Sequence, residues 1–314
     1  MAAHDVGQAR RAVERRPLAG SLGVLSAVGV WGGVAVVAKL VDKVDGLVLG
    51  FHRLWIGAVV TSAVFLARGG RLRPRLLRLC LPGGLAFGLD IVLFFSALKH
   101  TTVANATVIG ALQPALVLLL VGRMFGDHVT ARAVVWTVVA IGGVGLVVFG
   151  SAATPVWSPS GDLLATGALF AWTWYFVASK QARRDLDPLE FLAGMTLVAA
   201  VAVTPVALLS GQRLDPGGAG NWAKIAALAI GSGGLGHLLI SWAHDHVDLS
   251  TMSLLTLAVP VVAAVSAALF LDERIVGLQV LGMAIVVCAL GNVVLRETGR
   301  APDKFATGPD LPPT

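Results

Sequence analysis

Long apolar segments separated by short polar connections dominate the chain. Each segment is close to the roughly 20 residues that a helix needs to cross the hydrocarbon core of a bilayer. Ten such segments follow one another, at about 19–40, 46–67, 79–98, 103–123, 132–151, 162–180, 187–210, 223–243, 249–271 and 275–296. Because the connections are short, nearly all backbone polar groups would be paired inside helices, as hydrocarbon requires. The pattern predicts an all-α integral membrane protein with ten transmembrane helices.

Composition strengthens this prediction and argues against a water-soluble fold. Of the 314 residues, 56% are hydrophobic and 13% are charged, whereas about a quarter of the residues in a soluble domain are charged. The two cysteines, Cys80 and Cys288, lie in separate apolar runs. They indicate neither a disulfide framework nor a metal site. We therefore expect no metal and no cofactor.

The basic residues predict how the chain is oriented in the membrane. With the N-terminus inside the cell, most of the 24 lysine and arginine residues fall on cytoplasmic segments, as the positive-inside rule requires. A short N-terminal segment, 1–18, and a disordered tail, 297–314, are then both cytoplasmic. The net charge of +6 is a topology signal rather than a nucleic-acid patch. We expect a multi-pass protein of the cell membrane whose partners are lipid and a small-molecule substrate, and a homodimer stays open.

The two halves of the chain, 19–150 and 162–296, resemble each other. Several residues of the first half align with residues of the same kind in the second half. The pairs are Trp31 with Trp172, Ala97 with Ala243, His100 with His246, Pro114 with Pro260 and Gly145 with Gly291. Each half has five predicted spans, and because five is odd, the second half must cross the membrane in the opposite sense. The sequence therefore predicts two inverted five-helix repeats, a recurring architecture of secondary transporters.

The same stretches carry a family resemblance. The runs "ALKHTTVANATVIGALQPALVLLL" and "LSTMSLLTLAVPVVAAVSAALFLDERI", together with "WGGVAVVAKL" and "FHRLW" near the N-terminus, are similar to the EamA type of the drug/metabolite transporter superfamily. One departure is Asp127, which stands where glutamate is usual. The resemblance implies a ten-helix carrier for small metabolites, often an exporter, and it does not fix the substrate.

Three ionisable side chains lie well inside predicted spans: Arg53, Asp90 and His237. Such residues are functional candidates because an unpaired charge in hydrocarbon is costly. Asp90 binds substrate or protons, forms a structural ion pair with Arg53, which lies at a similar predicted depth, or is a passive carboxylate hydrated in the cavity. His237 either relays protons or binds a carboxylate, or is a structural histidine that is hydrogen-bonded to a neighbouring helix.

Prolines interrupt two spans at matching places in the two halves. Pro114 and Pro260 each remove one helical hydrogen bond and clash with the carbonyl four residues earlier. The freed carbonyls belong to Gly110 and Thr256. We expect helix kinks that either present these carbonyls to a polar substrate or only shape the packing.

Further polar and aromatic side chains are candidates for the pathway. Asn105 and Gln113 are separated by about two helical turns and could share one face. Trp31 and Trp172 either line a cavity mouth or belong to the interfacial aromatic belt.

The function that fits these features best is a secondary transporter. We expect an exporter of amino acids, related compounds or drugs, coupled to protons through Asp90. No P-loop is present, so we expect no ATP hydrolysis by this chain. An intramembrane hydrolase using Ser232 and His237 is the alternative enzyme, but residues five apart on an α-helix diverge, so no catalytic activity is expected. A non-transporting membrane scaffold would leave the repeat unexplained.

Overall fold

A computed structural model describes residues 16–41, 43–101, 103–125, 130–150, 158–270 and 274–299. Within these ranges every regular element is helical. The α-helices are α1 Pro17–Gly32, α2 Val34–Leu40, α3 Gly46–Ala67, α4 Pro74–His100, α5 Val103–Gly110, α6 Gln113–Phe125, α7 Ala131–Phe149, α8 Pro159–Ala182, α9 Pro188–Leu209, α10 Ala219–Leu228, α11 His237–Ala243, α12 Leu249–Leu255, α13 Val259–Phe270 and α14 Gly277–Gly299. A π-helical segment, Ala229–Gly236, joins α10 to α11, and a 3-10 turn, Thr256–Ala258, joins α12 to α13.

The helices define an all-α, multi-pass membrane protein. Seven helical stretches are long and apolar enough to cross a bilayer: Gly46–Ala67, Pro74–Leu98, Ala131–Phe149, Pro188–Leu209, Ala219–Ala243, Leu249–Phe270 and Gly277–Leu295. Two shorter apolar helices are Pro17–Gly32 and Asn105–Leu120. The terminal segments predicted for 1–18 and 297–314 lie outside the described residues, except where α1 begins at Pro17 and α14 reaches Gly299. Asp127 lies outside them as well.

Several predicted spans are broken rather than continuous. The fourth span divides into α5 and α6 just before Pro114, and the ninth divides at the 3-10 turn just before Pro260. Proline cannot donate the helical hydrogen bond, and its ring crowds the preceding turn. The eighth span changes from α to π geometry over eight residues that include four glycines. The sequence pattern indicated two prolyl kinks but not this π-helical segment.

Packing between the halves follows one scheme in both directions. Helix α4 packs against α8 and α9, which belong to the second half. The aligned region of the second half, Ala219–Ala243, packs against α1 and α3, which belong to the first half. Helices α7 and α14, which end the two halves, pack against each other. Each half therefore inserts one long helical segment, α4 or Ala219–Ala243, between two helices of the other half.

Connections gather at two opposite ends of the bundle. At one end, Lys180 Nζ donates to the carbonyl of His244 at 2.5 Å, and the Arg183 side chain forms an ion pair with Asp245. At the other end, a ring nitrogen of His52 lies 2.6 Å from the carbonyl oxygen of Leu214. The residues between these ends enclose a cavity to which both halves contribute.

Candidate substrate cavity

A cavity of about 280 Å³ lies between the two halves of the bundle. Its walls are mainly apolar and aromatic, with a few polar groups. This composition is that of a small-molecule site, in which sparse polar groups fix the orientation of a ligand. The ionisable and indole side chains on its surface are Trp31, Arg53, Asp90, Trp172 and His237.

Asp90 presents a carboxylate to this cavity from the middle of α4. The side chain is half-buried. Within the described part of the chain, no lysine, arginine or histidine nitrogen lies within 4.0 Å of it, and no hydrogen-bond donor contacts it. Arg53 is the cation whose charge acts on it. The structure therefore brings the two residues into one cavity without joining them in a direct ion pair.

Arg53 reaches the cavity from α3 and is held by the opposite half of the bundle. The residue is 7% exposed. Its Nη2 donates to Ser232 Oγ at 3.2 Å, and its guanidinium carbon lies 6.0 Å from the centre of the Phe87 ring. Its Nε is buried without a hydrogen-bond partner among the described residues. The guanidinium thus keeps donor capacity that protein groups do not use.

The π-helical segment shapes this side of the cavity. Trp31 Nε1 donates to the backbone carbonyl of Ser232 at 3.1 Å. Glycine at position 236 permits this approach, because a Cβ there would lie 2.5 Å from Trp31 Nε1. π-Helical turns are rare and occur frequently at functional sites. Here the turn lets the indole and the guanidinium meet at one residue.

His237 packs with four aromatic rings next to this segment. His237 is 2% exposed, and its Nδ1 lies 2.9 Å from the Tyr175 hydroxyl. Its ring centre lies 4.6 Å from that of Phe87 and 5.1 Å from that of Trp31. Trp172 stacks on Tyr175 at 5.0 Å. His237 therefore lines the cavity and also makes the interhelical hydrogen bond of its structural alternative.

The prolyl breaks bring backbone polar groups to the same cavity. Gly110 and Thr256, which lie four residues before the two prolines, both line it, as does Pro260. The expectation of a freed carbonyl is wrong for Thr256, because the 3-10 turn lets the Val259 N–H donate to it. Pro114 is buried and does not line it. The two breaks therefore face a common space from opposite halves.

Asn105 and Gln113 lie elsewhere. Asn105 Nδ2 donates to Asp162 Oδ1 at 2.9 Å, near the start of α8. Gln113 is 1% exposed, and its Oε1 accepts a hydrogen bond from Ser253 Oγ at 2.6 Å. Neither residue belongs to the cavity lining. Both polar side chains join helices of the first half to helices of the second half.

Sequence reasoning missed the structural roles of Ser232, Phe87 and Tyr175. The sequence offers Ser232 as a candidate nucleophile, whereas in the structure its hydroxyl donates to the Leu228 carbonyl at 2.7 Å and accepts from Arg53. Because this segment is π-helical, the α-helical angle between Ser232 and His237 does not apply, and their hydrogen bonds go to different partners. Tyr175 carried a usable signal, because it is the only tyrosine in the chain. In the described residues, no cluster of histidine, cysteine or carboxylate side chains could hold a metal ion.

Comparisons with known proteins agree with this architecture. The model of the EamA-like transporter family matches twice, over residues 18–149 and 159–295. The aromatic amino acid exporter YddG of Ancylobacter novellus is 28% identical over 76% of this chain and 84% of its own. The threonine/homoserine exporter RhtA of Escherichia coli K12 is 26% identical over 86% and 90%. A solved crystal structure, 22% identical, superposes with a TM-score of 0.76 over 90% of this chain and 99% of its own.

These matches show that the protein is a polytopic membrane transporter built from two copies of one sequence unit. The chain belongs to the EamA-like transporter family. The family resemblance drawn from the sequence is therefore confirmed.

Proposed function

We propose that this protein is a secondary transporter that exports amino acids or closely related metabolites from the cell. The observation that carries the proposal is the cavity between the two halves, which combines aromatic walls with one acidic and one basic side chain. The exporters YddG and RhtA, to which the chain is similar, support the direction and the substrate class. Ten spans in two inverted repeats complete the proposal, and the exchanged packing of the halves supports that arrangement.

Asp90 is the proposed coupling residue. A single carboxylate in a mainly apolar cavity has two ways to lose its exposed charge: it takes up a proton or it pairs with a substrate ammonium group. The two events exclude each other at one carboxylate. Proton entry from outside would therefore release the substrate, and substrate entry from inside would release the proton, which is antiport.

The proposal is tested in proteoliposomes with an imposed pH gradient. We expect uphill movement of phenylalanine or threonine that depends on the gradient and collapses when a protonophore is added. Equal rates with and without the gradient would remove proton coupling but leave transport intact. No movement of any amino acid, in either direction, would overturn the proposed function.

The proposed orientation has both termini in the cytoplasm. Residues 151–161 and 211–222 are then outside, and the arginine-rich connection that contains Arg73 is inside. In a cysteine-free background, an impermeant thiol reagent added to intact cells should label Ser158→Cys and not Arg73→Cys. The reverse labelling pattern would contradict the orientation.

A further inference from the structure

One residue of the π-helical segment holds two cavity side chains that come from the first half. The hydroxyl of Ser232 accepts a hydrogen bond from Arg53 Nη2, and its backbone carbonyl accepts one from Trp31 Nε1. Ser232 itself is 2% exposed. The orientations of the guanidinium and of the indole are therefore set together.

The way Arg53 is held leaves part of its guanidinium available. Nη2 is engaged by Ser232, and Nε is buried beside Gly233, 3.8 Å from the position that a Cβ of this glycine would take. Nη1 has no hydrogen-bond partner among the described residues. Because Arg53 lines the cavity, Nη1 is the donor left for whatever enters it.

The charge of Arg53 also lacks a direct partner. The described residues place no carboxylate oxygen within 4.0 Å of its nitrogens. A buried cation is stable only when its remaining donors are satisfied by an anion or by further hydrogen bonds. An arginine that one hydroxyl orients and that no carboxylate of the described residues contacts directly is well suited to a planar anion such as a carboxylate.

We propose that Arg53 binds the carboxylate of the transported substrate and that Ser232 is the residue that positions it. The substrate class is then an α-amino acid with a free carboxylate and an apolar or aromatic side chain. Its side chain would lie against the indoles of Trp31 and Trp172, whose ring centres are 5.5 Å apart. This inference rests on the proposed function and specifies which end of the substrate the first half recognises.

The first test compares three probes that differ only at the carboxylate. Wild-type proteoliposomes are given L-phenylalanine, L-phenylalanine amide or phenylethylamine as competitors of radiolabelled phenylalanine uptake. Losing a hydrogen bond to a charged group weakens binding by about tenfold or more. We expect the amide and the amine to compete at least about tenfold more weakly than the acid.

The second test substitutes the positioning residue, Ser232, and leaves Arg53 unchanged. Ser232→Ala should raise the KM for phenylalanine by about tenfold and leave competition by the amide unchanged, so that acid and amide become similar. Ser232→Thr keeps the hydroxyl and should retain most of the preference for the acid. Ser241→Ala is the matched control, because Ser241 lies in the same span but bonds to the Pro188 carbonyl, away from the cavity.

The outcomes separate this inference from the proposed function. Transport in which the amide competes as well as the acid would overturn the carboxylate site while leaving the transporter standing. A parallel loss for the acid and the amide in Ser232→Ala, without rescue by threonine, would show a structural role and also overturn it. If Ser232→Ala does not fold, the comparison of acid and amide in the wild type decides alone.

Discussion

The long helical segment that each half inserts into the other differs between the two halves in its geometry and in the groups that it contributes to the cavity. In the first half it is α4, a helix of 27 residues that stays α-helical throughout and carries Asp90. In the second half it is Ala219–Ala243, which passes through eight residues of π-helix. In the register that pairs Ala97 with Ala243, Asp90 stands opposite Gly236, so the acid of one copy corresponds to a glycine in the other.

This difference explains how one cavity can hold an acid and a base without pairing them. The continuous helix presents the carboxylate into open space. In the π-helical region, Gly236 leaves room for Trp31, and the Ser232 hydroxyl accepts a hydrogen bond from Arg53. The first half therefore supplies the carboxylate of Asp90. The second half supplies the π-helical backbone that orients Trp31 and Arg53 of the first half.

The largest effect is expected from removing the acid of the continuous helix. Asp90→Asn keeps the size of the side chain but cannot release a proton, so uphill transport driven by a pH gradient should be lost. Exchange of labelled for unlabelled amino acid should persist at least in part. Asp162→Asn is the control, since that carboxylate serves Thr101 and Asn105 away from the cavity. An Asp90→Asn protein that still concentrates substrate against a gradient would contradict the assignment.

The next effect is expected from adding one methyl group to the π-helical segment. Gly236→Ala would place a Cβ 2.5 Å from Trp31 Nε1, so the indole must move and lose its bond to Ser232. Overpacking of this kind costs about 1–3 kcal/mol, read as an earlier thermal transition in detergent. Gly231→Ala is the matched control, because its nearest neighbour would be Val30 Cγ1 at an ordinary 3.8 Å. Equal melting of the two variants would remove the steric role given to Gly236.

Much of the cavity could be predicted from the sequence, and the reason is chemical contrast. Asp90, Arg53 and His237 stand out because ionisable groups are expensive in apolar spans. Phe87 also lines the cavity but gave no signal, because an aromatic ring in an apolar run is ordinary. Asn105 shows the converse limit. Spacing indicates which face of a helix a residue occupies but not which helix lies opposite, and here Asp162 satisfies the amide.

The fold, like the cavity, could be predicted from the sequence only in part. Length and apolar composition predict long helices, and helices occupy the predicted segments. Seven helical stretches are long and apolar enough to cross a bilayer, and α8, which occupies the predicted segment 162–180, is not one of them. Breaks at Pro114 and Pro260 follow from a local covalent cause. The π-helical segment has no such cause in its own residues, because glycines permit many conformations. Contacts with Trp31 and Arg53, which are distant in sequence, accompany this geometry.

A smaller effect is expected at the next pair of spans, where both copies are broken. Ser253→Ala would leave Gln113 Oε1 buried without its donor. Interhelical hydrogen bonds in membranes contribute about 0.6 kcal/mol on average and at most about 1.7. We therefore expect a loss of about 1 kcal/mol in thermal stability, which Gln113→Leu in the same chain should largely restore. Failure of the second change to restore stability would show that this pair is not what joins the two spans.

The smallest effect concerns the ends of the two compared spans, where His244 aligns with Leu98. His244 lies just beyond α11, 3% exposed. Burial, together with the charges of Lys180 and Arg183, holds the pKa of this histidine well below its usual value. In the unfolded chain this histidine takes up a proton near pH 6.5, whereas in the folded chain it stays neutral at that pH. The free energy of unfolding is therefore highest above pH 6.5 and declines below it. His244→Phe should flatten the loss of thermal stability between pH 7.5 and about 5.5, and an unchanged slope would contradict this cause.

The separation of Asp90 from Arg53 is tested most directly by a double-mutant cycle of Asp90→Asn and Arg53→Gln, with thermal stability as the readout. Breaking a true buried ion pair costs about 3–5 kcal/mol, and removing the second partner then restores much of the loss. No direct contact joins these two side chains in the described structure. The free energy of unfolding of Asp90→Asn should therefore lie within about 1 kcal/mol of the wild-type value. Adding Arg53→Gln should not raise it. Early melting of Asp90→Asn that Arg53→Gln repairs would show a structural ion pair and contradict the account.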